Sequence, residues 1–553
     1  MAEVIEAINK IVSRAGPIGC IDMRGTSSDL HPVPCCQTGD SRLVACKNSP
    51  NYIDVAPDRV ETTEKTTDVV LLTRASFAHD PTLPSVWALP KHSKPDAKDV
   101  GNANLNEGED KDKDKKVDLN QTKRSLTHVA AVGETKAGGA NAEKQLFRRL
   151  SAMLATPIRE YAVGFTLRGD SLKVYLMNAC GVFFTKPKKV TEKNGFLSTF
   201  LYRLVRHTDP QNGILATTTS LDDRQGPFTL CEGFFPPAAP EFVGGPATMP
   251  NVEINNLIFR RQTECGRATS TYKITVRDGT NVKTHAMTIA WVEESRNSDL
   301  AESRNFIQEE SLRGHSRLVG VFRGQYETLH AFLDTNQMFD KLVPRAREVV
   351  IHEQCYESLD TLTNSKQIAR VLQGAIHGHR ALSDRGFIHR DVSHGNVMVD
   401  RDVDGGVDGV LIDYHLTVKK ARLNEEAYRL SRSGTLPYLS RLLLKVRPEG
   451  VVHERWHAIE SFFYVASYAA FRTPGTLGAL IFDKSKAARI WNIWNAEDVD
   501  LASSKKDSLR EEDCFQELHQ ACAPRWDRID ELLFFEGELL AYIIVLCPWT
   551  CQG

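Results

Sequence analysis

The sequence lacks any stretch long and apolar enough to cross a bilayer. Its longest late apolar run, LLAYIIVLCPW (539–549), falls short of the roughly 18–20 residues a spanning helix needs, and reads as a buried helix or strand. It also lacks an excess of either charge: 69 Lys and Arg stand against 71 Asp and Glu, a formal net charge of −2. That balance offers no global attraction to nucleic acid or to an anionic membrane, so neither is expected as a partner. The beginning, MAEVIEAINKIVSRAGP, has neither the basic n-region nor the long apolar core of a secretory signal. Val4, Ile5, Ile8, Ile11 and Val12 instead repeat at helical spacing up to Gly16-Pro17. The 12 cysteines are then expected as reduced thiols in an intracellular protein, cytoplasmic or nuclear. His31, Cys35, Cys36 and Cys46 lack a second CxxC-type pair, which argues against a zinc cluster. No internal repeat is present.

What is there divides along the chain. At 553 residues it is too long for one ordinary core, so two or three domains are expected. Residues 1–90 read as a mixed, partly ordered region with one strand-like run, DVVLLT. Residues 91–141 carry the run KHSKPDAKDVGNANLNEGEDKDKDKKVDLNQTK, too poor in apolar surface to offset its ordering entropy, and read as a disordered charged linker. Its alternating Asp and Lys cancel, which disfavours a nucleic-acid patch. Residues 142–250 open with the helical AEKQLFRRLSAMLATPI and continue as two alternating strands broken at Arg168-Gly169-Asp170. The Pro- and Gly-rich GPFTLCEGFFPPAAPEFVGGPATMP marks a boundary near residue 250. Residues 251–355 then hold three strands in RRQTECGRATSTYKITVRDGTNVKTHAMTIAWVEE, with a tight turn at Asp278-Gly279, and residues 356–553 are mostly helical. Strands first and helices second predict an α+β fold with two lobes, preceded here by a further α/β region.

One loop concentrates the chemistry. GFIHRDVSHGNVMVD (386–400) sets His389-Arg390-Asp391 ahead of Asn396. Phosphoryl transfer needs a carboxylate that orients the attacking hydroxyl and accepts its proton. It also needs oxygen ligands for the Mg²⁺ that screens a triphosphate. Asp391 suits the first task and Asn396 the second. A further metal-binding carboxylate is expected at a strand end downstream, and GVDGVLIDYHLTVKK supplies Val410-Leu411-Ile412 followed by Asp413. VMVDRDVDGGVDGVLI, between the two, reads as paired short strands around an Asp/Gly turn. The competing reading makes Asp391 and Asp413 mere turn caps.

These motifs together resemble the fungal-type protein kinase family, a divergent branch of the protein-kinase fold, over roughly residues 145–475. REYAVGFTLRGDSLKVYLMNACGVFFTK resembles the segment that family carries ahead of its lobes, ECGRATSTYKI its reduced glycine loop, and GFIHRDVSHGNVMV its catalytic loop. GVLIDYHLT resembles its metal-binding strand, SGTLPYLSRLLL the end of its activation segment, and IESFFYVASYAAF the apolar helix behind the site. The resemblance implies an ATP- and Mg²⁺-dependent phosphotransferase acting on Ser or Thr hydroxyls of a protein substrate. A bilobal protein-kinase-like fold follows from it, with a small β-rich N-lobe over 251–355 and a helical C-lobe over 356–553. It implies Asp391 as base, His389 and Arg390 as braces of the loop, and Asn396 and Asp413 as metal ligands. Gly266, Ala268 and Thr269 would face the phosphates, and Thr435 would shape the peptide-side wall. Glu353, in the stretch joining the lobes, reads equally as a neighbour of adenine and as an ordinary exposed acid.

Three departures from the family pattern stand out. Only Gly266 remains of a GxGxxG loop. The strand lysine expected three residues before Trp291 is replaced by Thr288; Lys283 or Lys273 would have to compensate, with Glu302 or Glu309 as acidic partner. Ala458 stands where related chains carry an Asp that anchors the catalytic loop, and Ser393 where many kinases place a Lys. An active protein kinase, a degenerate kinase-like scaffold and a small-molecule phosphotransferase on the same fold therefore all remain open.

Overall fold

A computed structural model describes residues 43–47, 69–73, 129–135, 141–190, 213–218, 228–260, 267–324, 345–425, 433–445, 451–471 and 486–510, with short interruptions, and a few single positions besides. The helix expected near Val4–Val12, the His31, Cys35 and Cys36 set, the charged run 91–123, Gly266 and the apolar run 539–549 lie outside the described residues.

Strands β1 (Leu43–Lys47), β2 (Val69–Thr73) and β3 (Val129–Thr135) precede helix α1 (Asn141–Leu154). Then come β4 (Ile158–Arg159), β5 (Tyr161–Arg168), β6 (Ser171–Asn178), β7 (Gly181–Phe184) and β8 (Lys188–Lys189). They are followed by β9 (Ile214–Thr218), β10 (Phe228–Leu230), β11 (Val252–Arg260), β12 (Ser270–Asp278) and β13 (Asn281–Glu293). Helix α2 (Asn297–Glu310) leads to β14 (Leu318–Arg323), β15 (Arg345–His352) and β16 (Glu357–Ser358). Helix α3 (Ser365–Asp384) is followed by β17 (Phe387–Ile388), β18 (Val397–Asp400), β19 (Asp408–Leu411) and β20 (Val418–Lys419). Helices α4 (Arg441–Leu444), α5 (Arg455–Ala470), α6 (Lys486–Trp494) and α7 (Val499–Asp507) come last.

One sheet has the order β1-β2-β3-β5-β6-β7, with β8 on β6. Its hairpin β5–β6 closes Arg168 on Ser171, with Gly169 at φ +60°, a conformation glycine adopts without a side-chain clash. Leu146, Leu150 and Met153 of α1 pack onto Val132, Ala162, Tyr175 and Met177. Strand β3 corrects the expected linker over 91–141. The charge alternation ends before it, and Ala131 to Thr135 pair parallel with Val163 to Leu167, so that Ala131 and Val132 are fully buried.

The second sheet runs β14-β15-β13-β12-β11-β10-β9-β4. The boundary expected near residue 250 is thus bridged, because β10 pairs with β11 through Phe228 and Ile254. The Pro/Gly passage does not separate units; it lies along the sheet, Ala239 N–H donating to the Val321 carbonyl at 2.8 Å. Tyr272, Met287, Phe322 and Val349 form the sheet's buried face.

The helical part is built on α3 and α5. Asn364 caps α3, its side-chain oxygen accepting from the Gln367 N–H at 2.9 Å. Ile368, Val371, Leu372 and Ala375 then meet Phe462, Phe463 and Val465 of α5, a helix buried on nearly every side. Where α3 crosses β19 there is no room for a side chain: a Cβ on Gly409 would come within 1.6 Å of the Val371 carbonyl oxygen. A Cβ on Gly374 would lie 2.3 Å from Asp408 Oδ1 and 2.6 Å from the Gly409 nitrogen, and Gly378 meets Gly314. These glycines let α3 lie backbone against backbone on β19, the strand that leads to Asp413.

Candidate active site

Local pairing brings the motif residues together. β18 and β19 run antiparallel with Val397 opposite Leu411, so the residues before the one and after the other meet. β17 pairs with β20, which closes the loop's base onto the segment beyond Asp413. His389 Nδ1 accepts from the Asp391 N–H at 3.3 Å, leaving Nε2–H to donate to the Ile412 carbonyl at 2.9 Å. Burial lowers the His389 pKa, which keeps the ring neutral, as those two roles require. The Ile412 N–H donates to the Asn396 carbonyl at 2.9 Å, and Asn396 Nδ2 donates to the Asp391 carbonyl at 2.7 Å. Asn396 Oδ1 is thereby left as the acceptor. Arg390 and Asp413 both adopt left-handed backbone, at φ 69° and 59°, a strain of about 1–2 kcal/mol each that this bonding must hold.

Asp391, Asn396 and Asp413 line a single cavity of about 270 Å³. Its other wall comes from Thr269, Thr271, Thr288, Val350 and His352, on or beside the second sheet. Thr435 Oγ1 donates to Asp391 Oδ1 at 2.8 Å. Arg267 bridges the two acids: its Nη2 lies 3.7 Å from Asp391 Oδ2 and its Nη1 3.7 Å from Asp413 Oδ1. Burial pushes the Asp413 pKa up, but Arg267 and His415 outweigh it and hold the carboxyl well below its usual range.

A chain of charges runs from there into the sheet. His415 Nδ1 is 2.6 Å from Asp413 Oδ1, and its Nε2 is 3.2 Å from Glu348 Oε1. Burial works against a charged His415, yet the two carboxylates raise its pKa and favour the imidazolium. Glu348, fully buried on β15, accepts from Arg304 Nη2 at 2.7 Å and from Arg323 Nε at 2.9 Å. Its pKa would rise on burial alone; Arg304, His415 and Arg323 keep it well below the carboxylate range.

A magnesium ion fits the donor set. Among the described residues no group of three His, Cys, Asp or Glu side chains forms a cage. Asp413 and Asn396 offer two oxygens facing one cavity, and Mg²⁺ needs only one or two protein ligands when phosphates and water supply the rest. The guanidinium of Arg267, held against both carboxylates, marks where positive charge is favoured.

The remaining expected positions separate. Thr269 is buried on the cavity, with Oγ1 lacking a hydrogen-bond partner among the described residues. Ala268, beside it at φ 43°, takes the left-handed conformation a glycine would take freely. Lys283 is exposed at the start of β13, opposite Val276, and does not line the cavity; Lys273 is exposed as well. Glu353 does not line it either: its carboxylate lies 3.9 Å from Arg317, and Gln354, Cys355 and Tyr356 face the cavity instead. Glu302 pairs with Lys419, outside the cavity, and the Glu309 side chain lies outside the described ones. Ala458 is buried in the core against which Val392 also packs. Arg267, Arg304, Glu348 and His415 were not expected at the site. Two of them adjoin motif residues: Arg267 follows Gly266, and His415 is two beyond Asp413. Glu348 carries a signal of its own, a lone acid inside the strand run REVVIH.

Two aspartates and an amide on one cavity beside an antiparallel sheet define a protein-kinase-like chain. The fungal protein kinase family model matches residues 107–320 and 302–470, well over half of the sequence, and the chain belongs to that family. No curated protein matches it.

Proposed function

We propose that the chain is an ATP- and Mg²⁺-dependent phosphotransferase that transfers the γ-phosphoryl group to Ser or Thr hydroxyls of a protein substrate. The observation carrying this reading is the convergence of Asp391, Asn396 and Asp413 on one cavity. Asp391 orients the substrate hydroxyl and takes its proton: Thr435 occupies Oδ1, so Oδ2 is the oxygen turned to the reacting group. His389 and Asn396 fix the carboxylate by holding the backbone on both sides of it. Arg390 braces the same turn. Asn396 and Asp413 would hold Mg²⁺, which supplies charge to neutralise the triphosphate. The second sheet forms the upper lobe and the region around α3 and α5 the lower, with nucleotide between them. Gln354 to Tyr356, at the end of β15, line the part of the cavity suited to a nucleobase.

A second reading, a catalytically degenerate binding protein, draws on Thr288 in place of the strand lysine and on Arg267 lying across both acids. Titration with Mg²⁺·ATP decides between the two, followed by transfer of labelled phosphate to protein and to small alcohols. Asp413→Ala is expected to abolish Mg²⁺-dependent nucleotide binding. A parent chain that binds no nucleotide at any Mg²⁺ concentration would defeat the enzymatic reading.

A further inference from the structure

We propose that Arg304, on helix α2, is the cation that grips the nucleotide phosphates in place of the lysine missing from β13. This rests on the phosphotransferase reading and adds to it the residue that carries the charge.

Thr288 stands opposite Val350 in the β13–β15 pairing and lines the cavity. Its hydroxyl lies 3.2 Å from Thr271 Oγ1 and 3.4 Å from His352 Nε2. That position therefore presents a hydroxyl and no charge. Arg304 lines the same cavity from the helix, yet is only 3% exposed. Its Nη2 is fixed on Glu348, while its Nη1 has no hydrogen-bond partner among the described residues. A buried guanidinium donor left unpaired is costly, so its position on a cavity wall points to a ligand that completes it. Thr269, which lines the same cavity, has Oγ1 unpaired among the described residues as well.

Polarity explains why the arginine stays there. The ion pair joining helix to sheet has its acid on the strand, Glu348, and its base on the helix, Arg304. Arg323 binds the same carboxylate from β14, so Glu348 anchors Arg304 without fully neutralising it. A planar fork with one side tethered and the other buried and unpaired suits an anionic oxygen, and phosphate matches it best. Arg267 also lines the cavity with Nη1 unpaired among the described residues, but it lies 3.7 Å from both Asp391 and Asp413, at the acids and not beside Thr288. Lys283 and Lys273 are exposed and line no part of the cavity.

Calorimetric titration of the full chain with Mg²⁺·ATP and with adenosine tests the assignment. Arg304→Met is expected to weaken ATP binding about 10- to 100-fold and leave adenosine binding within about twofold, since only ATP carries phosphates. Arg304→Gln keeps a hydrogen bond to Glu348 and is read in the same way should the methionine variant not fold. Unchanged ATP affinity, or equal losses for ATP and adenosine, would overturn the proposal. A parent chain that binds neither ligand removes the phosphotransferase reading, whereas a parent that binds both and a variant that does so equally well removes only Arg304.

Discussion

Arg267→Met should make the empty site bind Mg²⁺ more tightly, although it removes a side chain from that site. The guanidinium lies 3.7 Å from an oxygen of each of Asp391 and Asp413, and all three groups are largely buried. At an effective dielectric near 20, unit charges at that separation attract by about 4–5 kcal/mol. Desolvation consumes part of this, and breaking a buried pair typically costs about 3–5 kcal/mol. Metal-free, the variant is therefore expected to lose about 3 kcal/mol of stability at pH 7, read as a lower urea midpoint with unchanged slope. In the parent an entering ion must displace Arg267 from the carboxylates. If about 2–3 kcal/mol of that contact opposes the ion, removing it strengthens Mg²⁺ binding roughly 30- to 160-fold. Calorimetric Mg²⁺ titration without nucleotide, at fixed ionic strength, measures the gain, and saturating Mg²⁺ should restore the urea midpoint. Equal or weaker Mg²⁺ affinity in the variant would show that Arg267 and the ion do not share a place, and the competition argument would fall.

Asp391→Asn should leave Mg²⁺·ATP affinity within about threefold while lowering turnover by roughly 10²–10⁴, because an amide cannot accept the hydroxyl proton. Single-turnover kinetics would expose an unchanged chemical step if Asp391 is not the base. Gly409→Ala forces a Cβ against the Val371 carbonyl oxygen and should destabilise the helical region by about 3 kcal/mol or more, measured by urea unfolding. A change below about 0.5 kcal/mol would mean that α3 does not lie on β19 as closely as described. Stability should also fall in acid, and the sign follows from burial. Desolvation lowers His315 and His352 to about 4, and His379 and His457 to about 3. Below about pH 6.5 the unfolded chain takes up protons that the folded chain refuses, at about 2 kcal/mol per histidine by pH 5. His415, with a raised pKa, works the other way and loses its contribution as pH rises through its folded value. Urea midpoints that stay flat between pH 7 and pH 5 would contradict the buried, neutral state of these rings.

The parts of this chain legible in its sequence are those set by local rules. The hairpin at Gly169 and the two strands around the Asp278-Gly279 turn follow period-2 alternation and turn residues, and they stand at those positions; the third strand expected in that stretch, β11, lies before it and ends at Arg260. Asp391, Asn396 and Asp413 were legible as a set because loop spacing and a downstream strand end fix their places. Strand β3 was hidden beside the charge run, since Ala131 to Thr135 find partners on β5, across a helix. The boundary near residue 250 looked sound for a similar reason: Pro and Gly signal a break in the chain, not a break in the sheet that the chain rejoins. Arg304 and Glu348 were invisible because 44 positions separate them and only the folded sheet brings helix and strand into contact.

That distance explains what became of the missing lysine. A site that holds a triphosphate must place positive charge at a point in space, and spacing rules register only the element that usually delivers it. In this chain β13 carries Thr288 at that point, and two arginines flank the same cavity from a loop and a helix. The acid that would oppose a strand lysine is also displaced, from the helix to β15 as Glu348. Exchanging acid and base between helix and sheet keeps the two elements joined, so packing does not resist it. An absent motif residue is therefore weak grounds for calling such a cavity inert. The stronger grounds would be a cavity with no buried cation lining it, and Arg304, a buried guanidinium lining this one with Nη1 unpaired among the described residues, is the observation against that.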